Sequence, residues 1–553
     1  MTDVVAVRNE AATALGHRAV TALSSSIALL SVIGIVGLRG ALSAGPSPRI
    51  AAVFESPILP ALLLVMTGLV VAVFAIAPNR LDPARHWLFA FALTLALAIA
   101  SVELRQTYRP AAGDDFPHAF AAFHARNFNL TESLVMAQNL LRGKGNTLPV
   151  ADGSTKINTY RMPGYSLFAA AAGKLSGVSA DDLPGLGAST VYAQVLFFAV
   201  AVAFMAYRLS ESIPLWWAAL AASGTCWFPQ MFDVTNADAV VLSCGLLVTG
   251  SLCRFHRERD VSKVRFRDHL LVHAAFALWF LMRSDVLPGW LGVSAFLYWR
   301  QPRYLLLPLA FVVSLGSIWG LYKKSHGSEF VMTTSNVGHV AFVGLWQTRP
   351  HRFVWEPSDE AYAGWVGTYG YTYMEPRANA FAIREVMRFW LTYPGFAVGN
   401  ICYKVYSHFR YHAWWGGLAL YPTRLVGVVM RVGAYWVLFA AFLFALSTGF
   451  DSRRVFLLGW PALLNLPLFL MLQHNARYVG FVSVSVMVVG ICLLLDPRFY
   501  RSVSTTRRPV LVWGTVAALW LSAPLIMRAL FADSVRYWTP LLDPSASTLN
   551  VLR

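Results

Sequence analysis

Long apolar runs constrain this chain most, because about 20 consecutive apolar residues suffice to cross a lipid bilayer as a helix. Hydrophobic residues make up 57% of the 553 positions and charged residues only 13%, about half the charged share of a typical soluble domain. The sequence therefore predicts an all-α polytopic membrane protein, a single integral-membrane domain over 1–553. About thirteen runs could span the membrane, near 19–38, 57–77, 87–103, 188–207, 214–229, 237–253, 269–282, 286–299, 304–321, 424–449, 455–472, 479–495 and 510–528.

The formal net charge of +17 comes from Lys and Arg residues that cluster in the short connectors between alternate runs. Such a bias marks the cytoplasmic side of a membrane protein, so we expect a cytoplasmic N-terminus in a bacterial inner (plasma) membrane. Residues 104–187 (the first polar segment), 323–420 (the second polar segment) and the tail 529–553 then face the periplasm or the cell exterior. No basic stretch interleaved with aromatic residues suggests a nucleic-acid partner.

This alternation of sides requires that the short run 163–175 does not cross the membrane. At about 13 residues it falls short of a span, and it begins with Pro-Gly. We expect a helix that lies in or dips into the outer face, and a second amphipathic helix along the same interface over 380–409.

The first polar segment carries acidic side chains that suit proton transfer. Asp114 and Asp115 follow a predicted span, and a carboxylate there can act as a general base or hold a divalent cation such as Mg²⁺ or Mn²⁺. A solvated acidic turn is the plain alternative, and nothing else in the sequence requires a cofactor. Glu132 lies in a predicted helix over 130–142, whose first turn favours acidic residues.

The stretch Tyr160-Arg161-Met162-Pro163-Gly164-Tyr165 favours anion binding. Proline suits the first turn of a helix, whose amides and dipole attract anions, and Arg161 adds bidentate donors. A lipid phosphate is the natural anion at a membrane face. Simple contact between Arg161 and lipid headgroups is the alternative.

Other charged residues stand at the predicted outer ends of spans, where charge is costly and often functional. Arg283-Ser-Asp285 ends one span, and His474-Asn-Ala-Arg477-Tyr478 lies between two later ones. Lys324 and His339 open the second polar segment. The chain has no GxSxG, P-loop or HEXXH motif and no GxGxxG after a strand, which disfavours nucleotide-driven chemistry.

Taken together, these motifs resemble the GT-C fold glycosyltransferases. Ala137-Gln-Asn-Leu-Leu141-Arg-Gly143-Lys-Gly145 followed by Arg161-Met-Pro163-Gly164-Tyr165 is similar to the first outer loop of the family-39-like group, which includes protein O-mannosyltransferases and the lipid A aminoarabinose transferase. Arg283-Ser-Asp285 and Asn475-Ala-Arg477-Tyr478 resemble later motifs of that group. The set covers about residues 105–495, in order.

The resemblance implies transfer of a sugar from a polyprenyl-phosphate donor to an acceptor hydroxyl on a cell-envelope glycan, lipid or protein, with inversion at the sugar carbon. The implied base is Asp115, then Asp114 or Glu132. The donor phosphate is expected to contact Arg161, Tyr165, Arg283, Arg477 and Lys324. The substrate pocket is expected to include Asn129, Lys156, Tyr160, His339 and Tyr478, with tryptophans of the second polar segment shaping it.

Two departures from the family pattern leave alternatives open. Asn129 stands where the family places an acid, and three predicted spans, not one, precede the first polar segment.

An O-antigen polymerase or ligase type of enzyme also has many spans and a large outer loop. A non-enzymatic transporter of lipid-linked sugars is a second alternative, although the chain shows no clear internal repeat of the kind common in transporters. A structural assembly subunit is the third, although acidic and basic residues on one face argue against it.

Overall fold

The computed structural model of the protein describes residues 128–149, 155–209, 237–258, 260–346, 356–372, 375–407, 441–445 and 448–465, and a few isolated positions. These residues are mostly helical. The helices are α1 (Phe128–Leu141), α2 (Gly164–Leu175), α3 (Leu183–Leu209), α4 (Ala237–Arg257), α5 (Phe266–Met282), α6 (Leu287–Tyr298), α7 (Leu306–Ser325), α8 (Val337–Trp346), α9 (Glu356–Thr368), α10 (Pro376–Thr392), α11 (Pro394–Ser407) and α12 (Ser452–Trp460). The short strands β1 (Thr147–Pro149) and β2 (Thr155–Ile157) pair antiparallel.

Within the described residues, three helical stretches are long and apolar enough to cross a membrane: Leu183–Leu209, Ala237–His256 and Pro302–Ser325. Helices α3, α4, α5, α6 and α12 share one apolar core with α2. This arrangement agrees with the predicted all-α membrane class. The first three predicted spans, and those near 214–229 and 510–528, lie outside the described residues.

Connectors that the charge pattern assigned to one side of the membrane lie together in the structure. Arg208 ends α3 and forms an ion pair with Asp268 of α5 at 3.0 Å. Arg453 Nε donates to the carbonyl of Phe255 at 2.9 Å, and Arg454 forms an ion pair with Asp451 at 3.2 Å. We call this the arginine-rich end of the bundle. The polar segments attach at the opposite end, which we call the segment end.

A chain of hydrogen bonds crosses the interior of the α5–α6 hairpin. Trp290 Nε1 donates to His273 Nδ1 at 3.0 Å, and His269 Nε2 lies 3.1 Å from the carbonyl of Val261. A neutral imidazole carries one proton, so His273 Nε2 donates to the Tyr298 hydroxyl at 2.9 Å, and that hydroxyl donates to His269 Nδ1 at 3.0 Å. Both nitrogens of each histidine are paired, and the Tyr298 hydroxyl both accepts and donates, which links the two helices in a fixed register.

Replacing Tyr298 by phenylalanine should destabilise the hairpin by about 1–3 kcal/mol, because it leaves two buried imidazole nitrogens unpaired. We expect a lower apparent Tm of the purified protein in detergent. Tyr304→Phe is the matched control, since Tyr304 stacks on His269 with ring centroids 4.7 Å apart but its hydroxyl has no hydrogen-bond partner among the described residues. Equal Tm values for the two variants would contradict this account.

The second polar segment builds a small apolar cluster of its own. Phe342 of α8, Trp365 of α9 and Phe381 of α10 pack together, with Phe342 and Trp365 stacked at a centroid distance of 4.7 Å. The amphipathic run predicted over 380–409 falls on two helices, α10 and α11, separated at Tyr393 before Pro394. The apolar face of α10 therefore packs on protein, while Met387 and Leu391 stay exposed.

Lys404 of α11 is buried and donates through Nζ to the carbonyl of Leu472. Burial lowers the pKa of this side chain from 10.5 to about 7. Between about pH 7 and 10.5 the unfolded chain therefore binds more protons than the folded one at this position.

Lys404 should accordingly make the folded protein relatively more stable as the pH increases from 7 to 10, so the stability of wild type relative to Lys404→Met should rise over that interval. Thermal unfolding in detergent at several pH values checks this, with Lys324→Met as a control at an exposed lysine. A Lys404→Met curve that runs parallel to the wild-type curve over this interval would refute the lowered pKa of Lys404.

Candidate functional site

The described part of the first polar segment is a compact scaffold of α1, the β1–β2 hairpin and α2. Helix α1 begins at Phe128 and ends at Leu141, close to the predicted 130–142. The strands align Thr147 with Ile157. Helix α2 runs over Gly164–Leu175, which agrees with the predicted short helix 163–175, and its 12 residues are too few to cross a bilayer.

Glu132 and Arg161 form the charged centre of this scaffold. Arg161 Nε donates to Glu132 Oε2 at 2.9 Å. The glutamate side chain is 0% exposed, whereas the arginine side chain is 32% exposed. A buried carboxylate thus holds one edge of a guanidinium that reaches solvent just before α2 begins.

Asn158 shapes the loop that presents Arg161. Its Oδ1 accepts from the backbone amides of Tyr160 at 3.0 Å and Arg161 at 3.3 Å. The guanidinium also lies over the Tyr160 ring, 5.7 Å from its centroid. The orientation of Arg161 is therefore set from three sides, by an amide, a carboxylate and an aromatic ring.

The second polar segment docks directly on this loop. The Tyr160 hydroxyl is hydrogen-bonded to His339 Nδ1 of α8. Ser335 donates through its backbone amide to the Thr159 carbonyl at 3.2 Å and through Oγ to the same carbonyl at 3.0 Å. The structure thus brings together Tyr160 and His339, which the sequence placed in one pocket from opposite segments.

A second link joins the end of α7 to the β hairpin. The Tyr322 hydroxyl accepts from the backbone amide of Asn146 at 2.9 Å. Lys323 is buried, donates to the Thr333 carbonyl at 2.8 Å and lies over the Trp319 ring. The neighbouring Lys324, which the sequence nominated for phosphate, is exposed on the last turn of α7.

The start of α2 is pressed against the segment end of the bundle. A Cβ added at Gly164 would lie 2.5 Å from the Leu281 carbonyl oxygen. One residue later, the Tyr165 hydroxyl donates to Gln194 Oε1 of α3 at 2.5 Å. Burial, together with the negative charge of Asp238, raises the pKa of Tyr165, so this hydroxyl stays protonated.

Arg283 lies in the same region but is held by two carboxylates. It pairs with Asp238 of α4 at 2.5 Å and also with Asp285. Burial raises the pKa of Asp285, and the charge of Arg283 opposes that shift. Arg283 thus already has two carboxylate partners in the structure, and its contact with a phosphate stays a prediction.

The remaining predicted site residues have different positions. Lys156 lies exposed on β2, and Asn129 lies in the first turn of α1. Asp114, Asp115, Arg477 and Tyr478 lie outside the described residues. Within the described ranges, no group of three or more His, Cys, Asp or Glu side chains could hold a metal ion. The acidic pair proposed for a divalent cation is outside those ranges.

Sequence reasoning missed Asp238, Asn158 and Ser335. Asp238 opens an apolar run, and an acid at a membrane edge is a signal that could have singled it out. Asn158 and Ser335 act through contacts with backbone groups. No residue pattern in the sequence predicts those contacts, because they depend on the tertiary positions of the loops.

Comparison of the chain with protein-family models, with curated proteins and with solved structures gives no match in any of the three.

Proposed function

We propose that this protein is a membrane glycosyltransferase that moves a sugar from a polyprenyl-phosphate donor to an acceptor hydroxyl. The observation that carries the proposal is the partly exposed Arg161, held by the buried Glu132 beside the start of α2 where both polar segments meet. A fixed guanidinium at a membrane face suits a lipid phosphate, because Arg binds phosphate oxygens in a bidentate manner.

In this mechanism the acceptor oxygen attacks the anomeric carbon of the sugar. The bond from that carbon to the phosphate oxygen breaks, and polyprenyl phosphate leaves with the electron pair. Arg161 and the positive end of the α2 dipole stabilise the charge that develops on the leaving phosphate. Attack opposite the leaving group inverts the sugar carbon.

The acceptor's proton passes to a carboxylate, and Asp115 followed by Asp114 remains our choice for this base. We assign Glu132 a different role. Its side chain is fully buried and already binds Arg161, so it orients the guanidinium, and the acceptor's proton goes to an aspartate. The base and the phosphate ligand are then separate residues of one segment.

The membrane arrangement belongs to the same proposal. The arginine-rich end of the bundle faces the cytoplasm, the segment end faces the periplasm or exterior, and about thirteen spans build a GT-C-like fold. The contacts between Arg208 and Asp268 and between Arg453 and Phe255 support a common side for those connectors.

Transfer by the purified full-length protein tests the proposal. A panel of radiolabelled polyprenyl-phosphate sugars is offered with cell-envelope acceptors, comparing wild type with Asp114→Asn, Asp115→Asn and Arg161→Gln. Arg142→Gln is the matched control, since Arg142 belongs to the same segment but pairs with the exposed Asp181. The proposal is supported if wild type transfers the radiolabelled sugar and one of the two aspartate variants does not.

Two other results would point elsewhere. Binding of polyprenyl phosphate that needs Arg161, without any consumption of donor, would favour a ligase or a transporter of lipid-linked sugars. Absence of polyprenyl-lipid binding altogether would refute the proposal and the resemblance on which it was built.

A further inference from the structure

Three buried side chains around Arg161 leave polar atoms unpaired. Glu132 Oε1, Asn158 Nδ2 and one amide atom of Asn146 are buried with no hydrogen-bond partner among the described residues. The residues are 0%, 3% and 2% exposed. Buried polar groups in native proteins are nearly always paired, and each exception calls for an explanation, such as a bound molecule.

These atoms belong to one neighbourhood. Asn158 donates through its backbone amide to the Asn146 carbonyl at 3.1 Å. The Asn158 side chain supports the backbone of Arg161, whose own side chain binds Glu132. Glu132 and Asn158 thus flank Arg161, and Asn146 adjoins Asn158.

Hydrogen-bond logic fixes what the unpaired atoms offer. Asn158 Oδ1 accepts from two backbone amides, so Nδ2 is the unpaired atom and is a donor. Glu132 Oε1 is an acceptor while the carboxylate is ionised. The single Ser166 hydroxyl proton lies within reach of both Pro163 O and Asn146 Oδ1. Whether the Ser166 proton goes to Pro163 O or to Asn146 Oδ1, one atom of the Asn146 side-chain amide has no hydrogen-bond partner among the described residues.

We propose that Glu132, Asn158 and Asn146 form a subsite that recognises hydroxyl groups of the donor sugar. A carboxylate acceptor and an amide donor together match a sugar hydroxyl, which donates one hydrogen bond and accepts another. Glu132 contacts the Arg161 side chain and Asn158 contacts the Arg161 backbone, so the proposal places the sugar next to the phosphate that Arg161 would bind. The inference rests on the proposed function, and it names a polyhydroxylated sugar as the group next to the phosphate.

A buried water would also satisfy these atoms, and two variants of unchanged size separate water from sugar. Asn158→Asp keeps Oδ1 for the two backbone amides and replaces the donor by an acceptor. Glu132→Gln keeps an oxygen for Arg161 and replaces the acceptor by a donor. The first variant adds a negative charge and the second removes one, so an effect common to both is not a charge effect.

The measurement is the binding of bare polyprenyl phosphate and of polyprenyl-phosphate mannose and glucose to the full-length protein in detergent. For each sugar, the quantity of interest is the Kd of bare polyprenyl phosphate divided by the Kd of the sugar-bearing lipid. Wild type should prefer at least one sugar-bearing lipid, and both variants should lower that preference by about tenfold or more. Asn336→Asp, which keeps the acceptor used by Thr334, should leave the ratio unchanged.

The outcomes distinguish the two levels of the argument. If both variants bind bare polyprenyl phosphate and keep the wild-type preference for sugar, the subsite holds only water, and the inference falls while the proposed function stands. If wild type shows no preference for any sugar-bearing lipid, the inference also falls. If wild type binds no polyprenyl lipid, both fall.

Discussion

Replacing Arg161 by glutamine should lower sugar transfer by about 100-fold or more. Removal of one donor that stabilises developing negative charge typically costs on the order of 10²–10³ in rate, and in the proposed mechanism Arg161 is such a donor to the leaving phosphate. The same change also leaves Glu132 buried without its ionic partner, which should cost on the order of 3 kcal/mol of stability.

A double variant separates these two effects. Arg161→Gln combined with Glu132→Gln removes the unpaired charge and should recover most of the lost thermal stability, but not the transfer rate. Transfer assays and apparent Tm values for wild type, both single variants and the double variant make the comparison. Recovery of transfer in the double variant would mean that Arg161 serves only to neutralise Glu132.

Replacing Gly164 by alanine should displace the start of α2 and disable the site. The new Cβ would lie 2.5 Å from the Leu281 oxygen and 2.9 Å from the Met282 nitrogen. Both are backbone atoms, so no side-chain rotation relieves the clash. Overpacking of this kind costs about 1–3 kcal/mol or more, and the movement would carry Arg161 with it, because only two residues separate them.

Gly364→Ala is the matched control for this change. Gly364 lies in α9, and an added Cβ there meets nothing within 4 Å. Alanine is favoured over glycine inside a helix, so the control should be neutral or slightly stabilising. Apparent Tm and transfer rate should both fall for Gly164→Ala and stay near wild type for Gly364→Ala. A fully active Gly164→Ala protein would show that α2 need not touch α5 this closely.

Local features of the sequence predicted α2 well. Pro163 and Gly164 mark a helix start, and the apolar run that follows is too short for a span; the helix begins at Gly164 and ends at Leu175. The same reasoning placed α1 within two residues at its start. These predictions succeeded because a helix boundary depends on neighbours along the chain.

Pairings between distant residues could not be predicted in this way. Glu132 was nominated for its charge and helix position, yet its partner lies 29 residues away. Arg283 was selected as a cation, but its pairing with Asp238 and Asp285 was not foreseen. Composition shows which residues can interact, whereas tertiary packing decides which of them do.

The contacts of the first polar segment with the end of α7 and with the second polar segment also set an order of assembly. Thr159 and Ser335, like Asn146 and Tyr322, are 176 residues apart in the chain. A ribosome adds about 5–20 residues per second, so the loop before α2 waits roughly 10–35 s after its own synthesis for its partners to emerge. During nascent-chain insertion, the segment that carries Arg161 therefore lacks its contacts with Tyr322 and Ser335, although Glu132 and Asn158 are already present. A chain arrested before α8 would carry the whole motif without the contact between Tyr160 and His339.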